Sequence, residues 1–273
     1  MNANIESQLA MQKPAAPPSI IGALHGWAMH SGLLDELGDC LPEVDWRGID
    51  LPGHGRRRGR PWPSPADGAP ADALPPPAAL LNLLVGDLPQ GSWLLGWSLG
   101  GLLAMQAVLE WPEQFSGLIL ISASPSLTRR PHWPDGVEPA LLKAMALELA
   151  GRPEMVFSRF LALETHGSAQ AKDELRRLKA LAMAHGLPDS GALLAGLKHL
   201  AETDISARLA EIRIPTLIIG GRRDKLVPWR SLEQLDAQLP NSRLERIHGA
   251  AHAPFLTDPQ AVAATIREFM TRV

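Results

Sequence analysis

Apolar and polar residues alternate along this chain on two length scales. Short apolar runs, closed by glycine, proline or polar residues, are typical of strands buried on both faces of a sheet. Longer segments, in which apolar residues recur every three or four positions, are typical of amphipathic helices. The apolar runs predict strands at 20–24, 44–50, 92–95, 118–122, 215–220 and 243–247. Helical spacing predicts helices at 31–41, 78–88, 101–110, 229–239 and 258–271.

The order of these elements predicts an α/β fold. Strands that alternate with helices form a mainly parallel, doubly wound sheet with helices on both faces. Between 125 and 205 helical spacing replaces the strand pattern and predicts four helices, at 139–150, 153–164, 168–184 and 189–202, with Ser168 and Asp189 as N-caps. We therefore expect a sheet core at 19–124 and 206–273, with an inserted helical lid at 125–205. Residues 1–18 are aperiodic, which indicates a poorly ordered lead-in.

Composition excludes several classes of function. The chain has 273 residues and a net charge of −3, so nothing suggests a nucleic-acid partner. No run approaches the roughly 20 apolar residues of a membrane span, and no secretory signal is evident. The single cysteine, Cys40, fits a reducing compartment, so we expect a cytoplasmic protein without a membrane partner, with a monomer favoured. The arginines of 56–60 and the proline-rich segment 61–77 are interpreted as solvated loop of unknown role.

The motif Gly96-Trp97-Ser98-Leu99-Gly100 lies between a predicted strand and a predicted helix. A Gly-x-Ser-x-Gly sequence in this context is typical of a nucleophile elbow, a strained turn that presents the serine hydroxyl at the carboxyl edge of a sheet. Glycines are needed on either side because the turn leaves no room for side chains. The alternative is a glycine-rich turn whose serine only caps the helix.

A serine hydroxyl becomes a good nucleophile only when a base takes its proton and a third group orients that base. Asp224 and His252 each follow a predicted strand, in the chain order Ser, Asp, His that is typical of hydrolases of this kind. Singly, Asp224 could be a turn-forming residue and His252 a loop histidine. Together, these residues predict a catalytic triad of Ser98, Asp224 and His252. His25 is expected to hydrogen-bond loop backbone.

An oxyanion hole needs two converging N–H donors. The backbone N–H groups of Leu99, which follows the serine, and of Trp27, in the loop after the first strand, are the predicted donors. The Trp27 ring either walls an acyl pocket or only packs in the core. The histidines lack the spacing of a metal site, so neither a metal nor a cofactor is predicted.

These motifs resemble the α/β-hydrolase superfamily from about residue 20 to the end. Within it, the chain is similar to the carboxylesterases of biotin synthesis that hydrolyse the methyl ester of pimeloyl-[acyl-carrier protein]. The similarity rests on His25-Gly26-Trp27, the segments 96–101 and 122–125, Arg159 to Thr165, and Ala250 to Phe255. It implies an acyl-carrier protein as partner. It also implies substrate contacts at Trp27, Ser98, Leu99, Phe160, Leu161, Ala162, Leu163, Glu164 and His252. At position 164 the resemblance implies a neutral glutamine, so Glu164 either alters the pocket or faces solvent.

Two alternatives stay open at this point. Within enzymes, the same triad would serve a general short-chain carboxylesterase or a carbon–carbon bond hydrolase. From another class, the chain would be a catalytically idle small-molecule receptor, because a fold does not fix a function.

The predicted helix 168–184 carries Lys172, Arg176 and Lys179 at spacings of four and three, which places them on one face. Arg159 adds a cation on the preceding helix. We expect Arg159, Lys172 and Arg176 to dock the acidic carrier protein, and the alternative is an ordinary solvated helix face.

Overall fold

The computed structural model describes residues 18–70 and 73–273. Apart from Pro18, the predicted lead-in at 1–18 lies outside the described residues. Six strands form one all-parallel sheet in the order β2-β1-β3-β4-β5-β6. They are β1 Ile20–Leu24, β2 Asp45–Ile49, β3 Ser92–Trp97, β4 Phe115–Ile121, β5 Thr216–Gly221 and β6 Ser242–Ile247. Every residue of β3 and of β5 is buried, so helices cover both faces of the sheet and the predicted α/β class is confirmed.

Ten α-helices connect or follow these strands in the described residues. They are α1 Asp35–Asp39, α2 Pro77–Val85, α3 Leu99–Glu110, α4 Pro139–Leu149, α5 Pro153–Thr165, α6 Ala171–Ala182, α7 Ser190–Glu202, α8 Trp229–Gln238, α9 Pro254–Thr257 and α10 Pro259–Arg272. Short 3-10 turns occupy Ser31–Leu34, Gly55–Arg57 and Ser206–Glu211. No helix among the described residues is both long and apolar enough to cross a membrane.

One prediction about a helix is wrong. The single helix predicted at 31–41 is a 3-10 turn followed by the short α1, and the His30 side chain accepts a hydrogen bond from the N–H of Gly32 at the start of that turn. Inside α1, Gly38 packs against the ring of Trp46, where a Cβ would lie only 2.7 Å from the ring. Glycine therefore serves close packing here at the expense of helix length.

Of the two predicted N-caps, Ser168 does not cap its helix and Asp189 occupies the N-cap position. Ser168 precedes the start of α6 by three residues, and its Oγ accepts the N–H of Gln170 in a turn before the helix. Asp189 does occupy the N-cap position of α7, but its side chain makes no capping bond there. Instead, Asp189 Oδ2 accepts the N–H of Gly59, 2.6 Å away, so this carboxylate holds the loop after β2.

Helices α4 to α7 lie between β4 and β5 in the chain, and we call them the helical insertion. Among the hydrogen bonds between the insertion and the sheet core, three reach loops that follow three different strands. The indole N–H of Trp27 donates to the carbonyl of Leu193, and the N–H of Asp189 donates to the carbonyl of Gly53. The third bond joins the N–H of His252 to a carbonyl of α5. The insertion therefore covers the carboxyl edge of the sheet, where sites of such folds lie.

Candidate active site

Ser98 lies at the turn from β3 into α3 with φ 55° and ψ −117°, a left-handed conformation that is strained for a residue with a side chain. The flanking glycines make this turn possible. A Cβ at Gly96 would lie 2.3 Å from the carbonyl oxygen of Gly100, and one at Gly100 would lie 2.3 Å from that of Leu24. The backbone is therefore too close for any other residue at either position. The turn has the geometry of a nucleophile elbow.

Asp224 and His252 form a buried pair. Nδ1 of His252 lies 2.8 Å from Oδ2 of Asp224, and both side chains are almost completely inaccessible. The other oxygen of Asp224 accepts the backbone N–H groups of Leu226 and Val227 at 2.8 and 2.9 Å. An aspartate held in this way accepts a hydrogen bond from a protonated Nδ1. Nε2 of His252 is then the unprotonated, basic atom of the ring. Nε2 is buried and has no hydrogen-bond partner in the described part of the chain.

Two hydrogen bonds hold the backbone of His252. Its N–H donates to the carbonyl of Glu164 at 3.1 Å, and its carbonyl accepts the indole N–H of Trp97 at 2.9 Å. Trp97 immediately precedes Ser98, so the loop after β6 is joined to the elbow. Burial lowers the pKa of His252, but the charge and hydrogen bond of Asp224 and the charge of Glu164 raise it, and the net direction is upward.

The two predicted oxyanion donors belong to segments that meet at the elbow. Leu99 is the first residue of α3, so its N–H has no acceptor within the helix. The loop after β1 approaches the serine from the other side, because a Cβ at Gly26 would lie 3.4 Å from Cβ of Ser98. Trp27 follows Gly26 in this loop. The loop that carries Trp27 therefore packs against the elbow.

The side chain of Trp27 is fully buried and extends into the insertion. Its ring meets the ring of Phe160 edge to face, with centroids 4.7 Å apart, and its N–H is satisfied by the carbonyl of Leu193. The ring therefore links the sheet core to both α5 and α7.

A narrow apolar cavity runs from Ser98 into the insertion. Its walls are Leu127, Val137, Leu141, Leu142, Met145, Phe160, Leu163, Leu197, Leu200 and Leu226. A second cavity shares Leu141, Met145, Phe160 and Leu163 with the first and reaches Glu148 and Arg159. The two cavities therefore adjoin. We call them the apolar path, which extends from Ser98 to the charged pair of Glu148 and Arg159 on the surface.

The segment from Phe160 to Glu164 divides into three environments. Phe160 and Leu163 line the cavity. Leu161 is fully buried in the core and Ala162 is exposed, so neither lines either part of the apolar path. Glu164 is fully buried, and the sequence-based alternative that it faces solvent is wrong.

The three cations predicted to dock a carrier are exposed. Arg159 pairs with Glu148 at 2.5 Å beside the outer end of the apolar path. On α6, Arg176 pairs with Asp173 at 3.0 Å, and Lys172 is exposed on the same helix. The opposite face of α6 is packed, since Leu178 and Ala182 are buried.

The side chain of His25 supports a loop. Nε2 of His25 accepts the N–H of Leu51 at 2.9 Å, which confirms the expected backbone contact, and Nδ1 lies 2.8 Å from the carbonyl of Gly26. Burial lowers the pKa of His25 to about 3, so it is neutral and holds the loop that carries Trp27. Within 18–70 and 73–273, no group of three His, Cys, Asp or Glu side chains is arranged to hold a metal ion.

Sequence reasoning did not single out the cavity walls contributed by α4, α7 and the loops around them. Leu142, Met145, Leu197 and Leu200 were visible only as apolar positions of amphipathic helices. Such positions do not reveal whether they face the core or a cavity, because both environments are apolar.

Comparison with known proteins decides the family. Residues 23–259 match the family model of the alpha/beta hydrolase fold. The chain belongs to the α/β-hydrolase fold family. It is 38% identical over 250 residues, 90% of this chain and 93% of the relative, to a pimeloyl-[acyl-carrier protein] methyl ester esterase of Xylella fastidiosa (strain M23). It is 36% identical over 247 residues to an esterase of the same name from Serratia marcescens, with coverage of 90% and 92%.

Among solved structures, an esterase from Exiguobacterium antarcticum superimposes with a TM-score of 0.77. That alignment covers 93% of this α/β hydrolase and 92% of the esterase at 21% identity, which shows the shared fold. With these relatives, the α/β hydrolase described here is a carboxylic ester hydrolase. This decides against the alternative of a catalytically idle receptor.

Proposed function

We propose that this esterase hydrolyses the methyl ester of pimeloyl-[acyl-carrier protein] in biotin synthesis, through a triad of Ser98, Asp224 and His252. The observation that carries the chemistry is the buried Asp224–His252 pair, 2.8 Å apart, on a loop hydrogen-bonded to the residue before a strained serine. The observation that supports the substrate is the 36–38% identity, over 90% of this chain, to esterases with that name.

The reaction proceeds in two halves. Nε2 of His252 takes the proton of Ser98 while Oγ attacks the ester carbonyl, and the oxyanion is held by the N–H groups of Trp27 and Leu99. The imidazolium, stabilised by Asp224, then protonates the leaving methoxide, and methanol departs from the acyl-enzyme. Water repeats the cycle: His252 takes its proton, the hydroxide attacks the acyl carbon, and Ser98 regains a proton as the free acid is released. No cofactor takes part in these steps.

In this proposal the apolar path binds the acyl chain. A methyl ester at Ser98 directs the methylene chain along Phe160 and Leu163, where burial of each CH₂ contributes about 0.8 kcal/mol. The far end of the chain then lies beside Arg159 and Glu148. This arrangement suits a substrate whose other end is attached to a macromolecule outside the cavity.

In this proposal the segment 125–205 acts as the lid of a core formed by 19–124 and 206–273. Arg159, Lys172 and Arg176 on the outer side of the insertion attract an acidic acyl-carrier protein. Such attraction acts mainly on the rate of encounter and is screened by salt.

Complementation tests the substrate. A bacterial strain that cannot make pimelate should grow without biotin when it expresses this chain, and the purified protein should release methanol from methyl pimeloyl carrier protein. The matched control is Ser98→Ala, which should do neither. Efficient hydrolysis of short p-nitrophenyl esters without release of methanol from the carrier ester would instead favour a general short-chain carboxylesterase. Cleavage of a carbon–carbon bond is not expected.

A further inference from the structure

Glu164 is a buried carboxyl group that the mechanism above does not use. It lies in the last turn of α5 with no exposed surface, and neither Oε1 nor Oε2 has a hydrogen-bond partner among the residues that the structure describes. Its backbone carbonyl accepts the N–H of His252 at 3.1 Å. A side chain without a partner is thus placed directly against the loop of the catalytic base.

A carboxylate in this place would be costly. An ionised carboxylate buried without hydrogen bonds loses its hydration, so Glu164 gives up its proton only when a nearby positive charge, that of a protonated His252, compensates the loss. Burial is the largest cause that raises the pKa of Glu164, to about 8; the charge of His252 lowers it and that of Asp224 raises it.

The charged groups around this centre are few. Asp224 reaches it from the loop after β5, His252 from the loop after β6, and Glu164 from α5 of the insertion. The neighbouring ionisable side chains of His166 and Arg223 are exposed to solvent. The electrostatics of the base is therefore decided by three buried side chains.

We propose that Glu164 is a positioning residue of the esterase, a third ionisable group that competes with His252 for one proton and raises the proton affinity of that base through space. The inference rests on the proposed role of His252 as the base. When Glu164 is neutral, His252 is free to accept the proton of Ser98. When the proton moves from Glu164 to His252, the net charge of the pair is unchanged. His252 is then already protonated and cannot accept the proton of Ser98.

The competition has a measurable consequence for activity. In part of the enzyme Glu164 is ionised and His252 holds the proton. These molecules have no free base, so the active fraction is smaller. The wild type should therefore need a higher pH to reach its plateau than a variant with a neutral side chain at 164. Glu164→Gln is the closest such variant, because it keeps the size and shape of the side chain.

The experiment compares the pH dependence of kcat/KM for wild type and Glu164→Gln on p-nitrophenyl acetate, each normalised to its own plateau. We expect the acid limb of Glu164→Gln to move to lower pH. Below the wild-type midpoint, its normalised activity should exceed that of the wild type by about three- to tenfold, the effect of removing one charge near a titrating group. An unchanged midpoint would overturn the proposal, since a merely structural role changes the plateau and leaves the midpoint in place.

Two controls separate this inference from the proposed function. Glu174→Gln alters another buried glutamate, whose Oε1 is hydrogen-bonded to Thr257 at 2.7 Å, and should leave the midpoint unchanged. His252→Gln should abolish activity whatever the role of Glu164. Retention of activity in His252→Gln would overturn the triad, whereas loss of activity there with an unchanged midpoint in Glu164→Gln would overturn only the role of Glu164.

Thermal unfolding supplies a readout that needs no catalysis. The pKa of Glu164 is about 8 in the folded protein against an ordinary 4.5, so between these values the folded chain keeps a proton that the unfolded chain has lost. The wild type should therefore lose stability relative to Glu164→Gln as the pH rises through this window, and the difference in Tm should widen with pH. A constant difference would show that Glu164 has already lost its proton where His252 titrates, which would overturn the competition of the two groups for one proton.

Discussion

The indole N–H of Trp97 donates a hydrogen bond to the backbone carbonyl of His252, 2.9 Å away, and so joins the strand before Ser98 to the loop that carries His252. Trp97→Phe keeps an aromatic ring beside Phe255 but removes the donor. A buried carbonyl without a partner costs about 1–3 kcal/mol, and the backbone of His252 loses one of its two hydrogen bonds. We expect a lower Tm and a decrease in kcat of about tenfold or more. Stopped-flow kinetics and calorimetry check both, and an unchanged kcat would show that the bond serves stability alone.

Ser98→Ala tests the nucleophile. Without Oγ no acyl-enzyme forms, so kcat should fall by roughly 10⁴ to 10⁶. Because the change removes one buried atom, the circular dichroism spectrum and Tm should stay close to those of the wild type. Ser124→Ala is a suitable comparison, since this buried serine hydrogen-bonds Trp133 and lies outside the proposed triad. Near-normal ester hydrolysis by Ser98→Ala would eliminate the assignment.

The pH dependence should follow His252. The neutral imidazole is the active form, and Asp224 and Glu164 shift its pKa upward against the effect of burial, so kcat/KM should fall as the pH decreases through a value above 6.5. Asp224→Asn removes a negative charge and the correct orientation of Nδ1. We expect the plateau to fall by about 10³ to 10⁴ and the midpoint to move to lower pH. Full activity of Asp224→Asn would mean that another carboxylate orients the base.

The apolar path should set the preference for chain length. Leu163→Trp fills the part shared by the two cavities, between Ser98 and Arg159. We expect kcat/KM for p-nitrophenyl hexanoate and octanoate to fall by about tenfold or more, with a much smaller effect on p-nitrophenyl acetate. Leu147→Trp is the matched control, because Leu147 is 73% exposed on α4 and should tolerate the larger side chain. Equal losses on all esters would indicate a damaged insertion instead.

Carrier docking should depend on the exposed cations of the insertion. Changing Arg159, Lys172 and Arg176 to Glu should lower kcat/KM for the carrier-bound ester and weaken its dependence on salt. Hydrolysis of p-nitrophenyl acetate should be almost unchanged, because a small ester needs no docking surface.

The matched control for docking changes Arg230, Arg246 and Arg272 to Glu. These exposed cations lie on α8, β6 and α10 of the sheet core and give the same change in net charge. If both triple variants lost the same activity towards the carrier ester, the effect would come from total charge rather than from this surface. If neither lost any, α6 would present an ordinary solvated face.

The sequence predicted the sheet well because buried parallel strands are nearly continuous apolar runs with glycine or proline at their ends. Ser98, Asp224 and His252 were recognisable for a related reason, since each follows such a run and chain order alone brings them to one edge. The apolar path was beyond this reasoning. Leu142 and Leu197 have the same periodicity whether they face a core or a cavity, and only the packing of α4 against α7 decides between them. The buried state of Glu164 was hidden likewise, because α5 is amphipathic and a single charge gives no sign of the face on which it lies.

The backbone of His252 is held at its N–H by α5 and at its carbonyl by β3. This has a consequence for protein engineering. The helical insertion is not a module that can be transplanted to change specificity alone, because one of the two backbone hydrogen bonds of His252 is made with it. A chimaera that grafts this insertion onto another hydrolase core, or replaces it here, should lose turnover on every substrate unless the residues that meet at Glu164, His252 and Trp97 are exchanged as one unit.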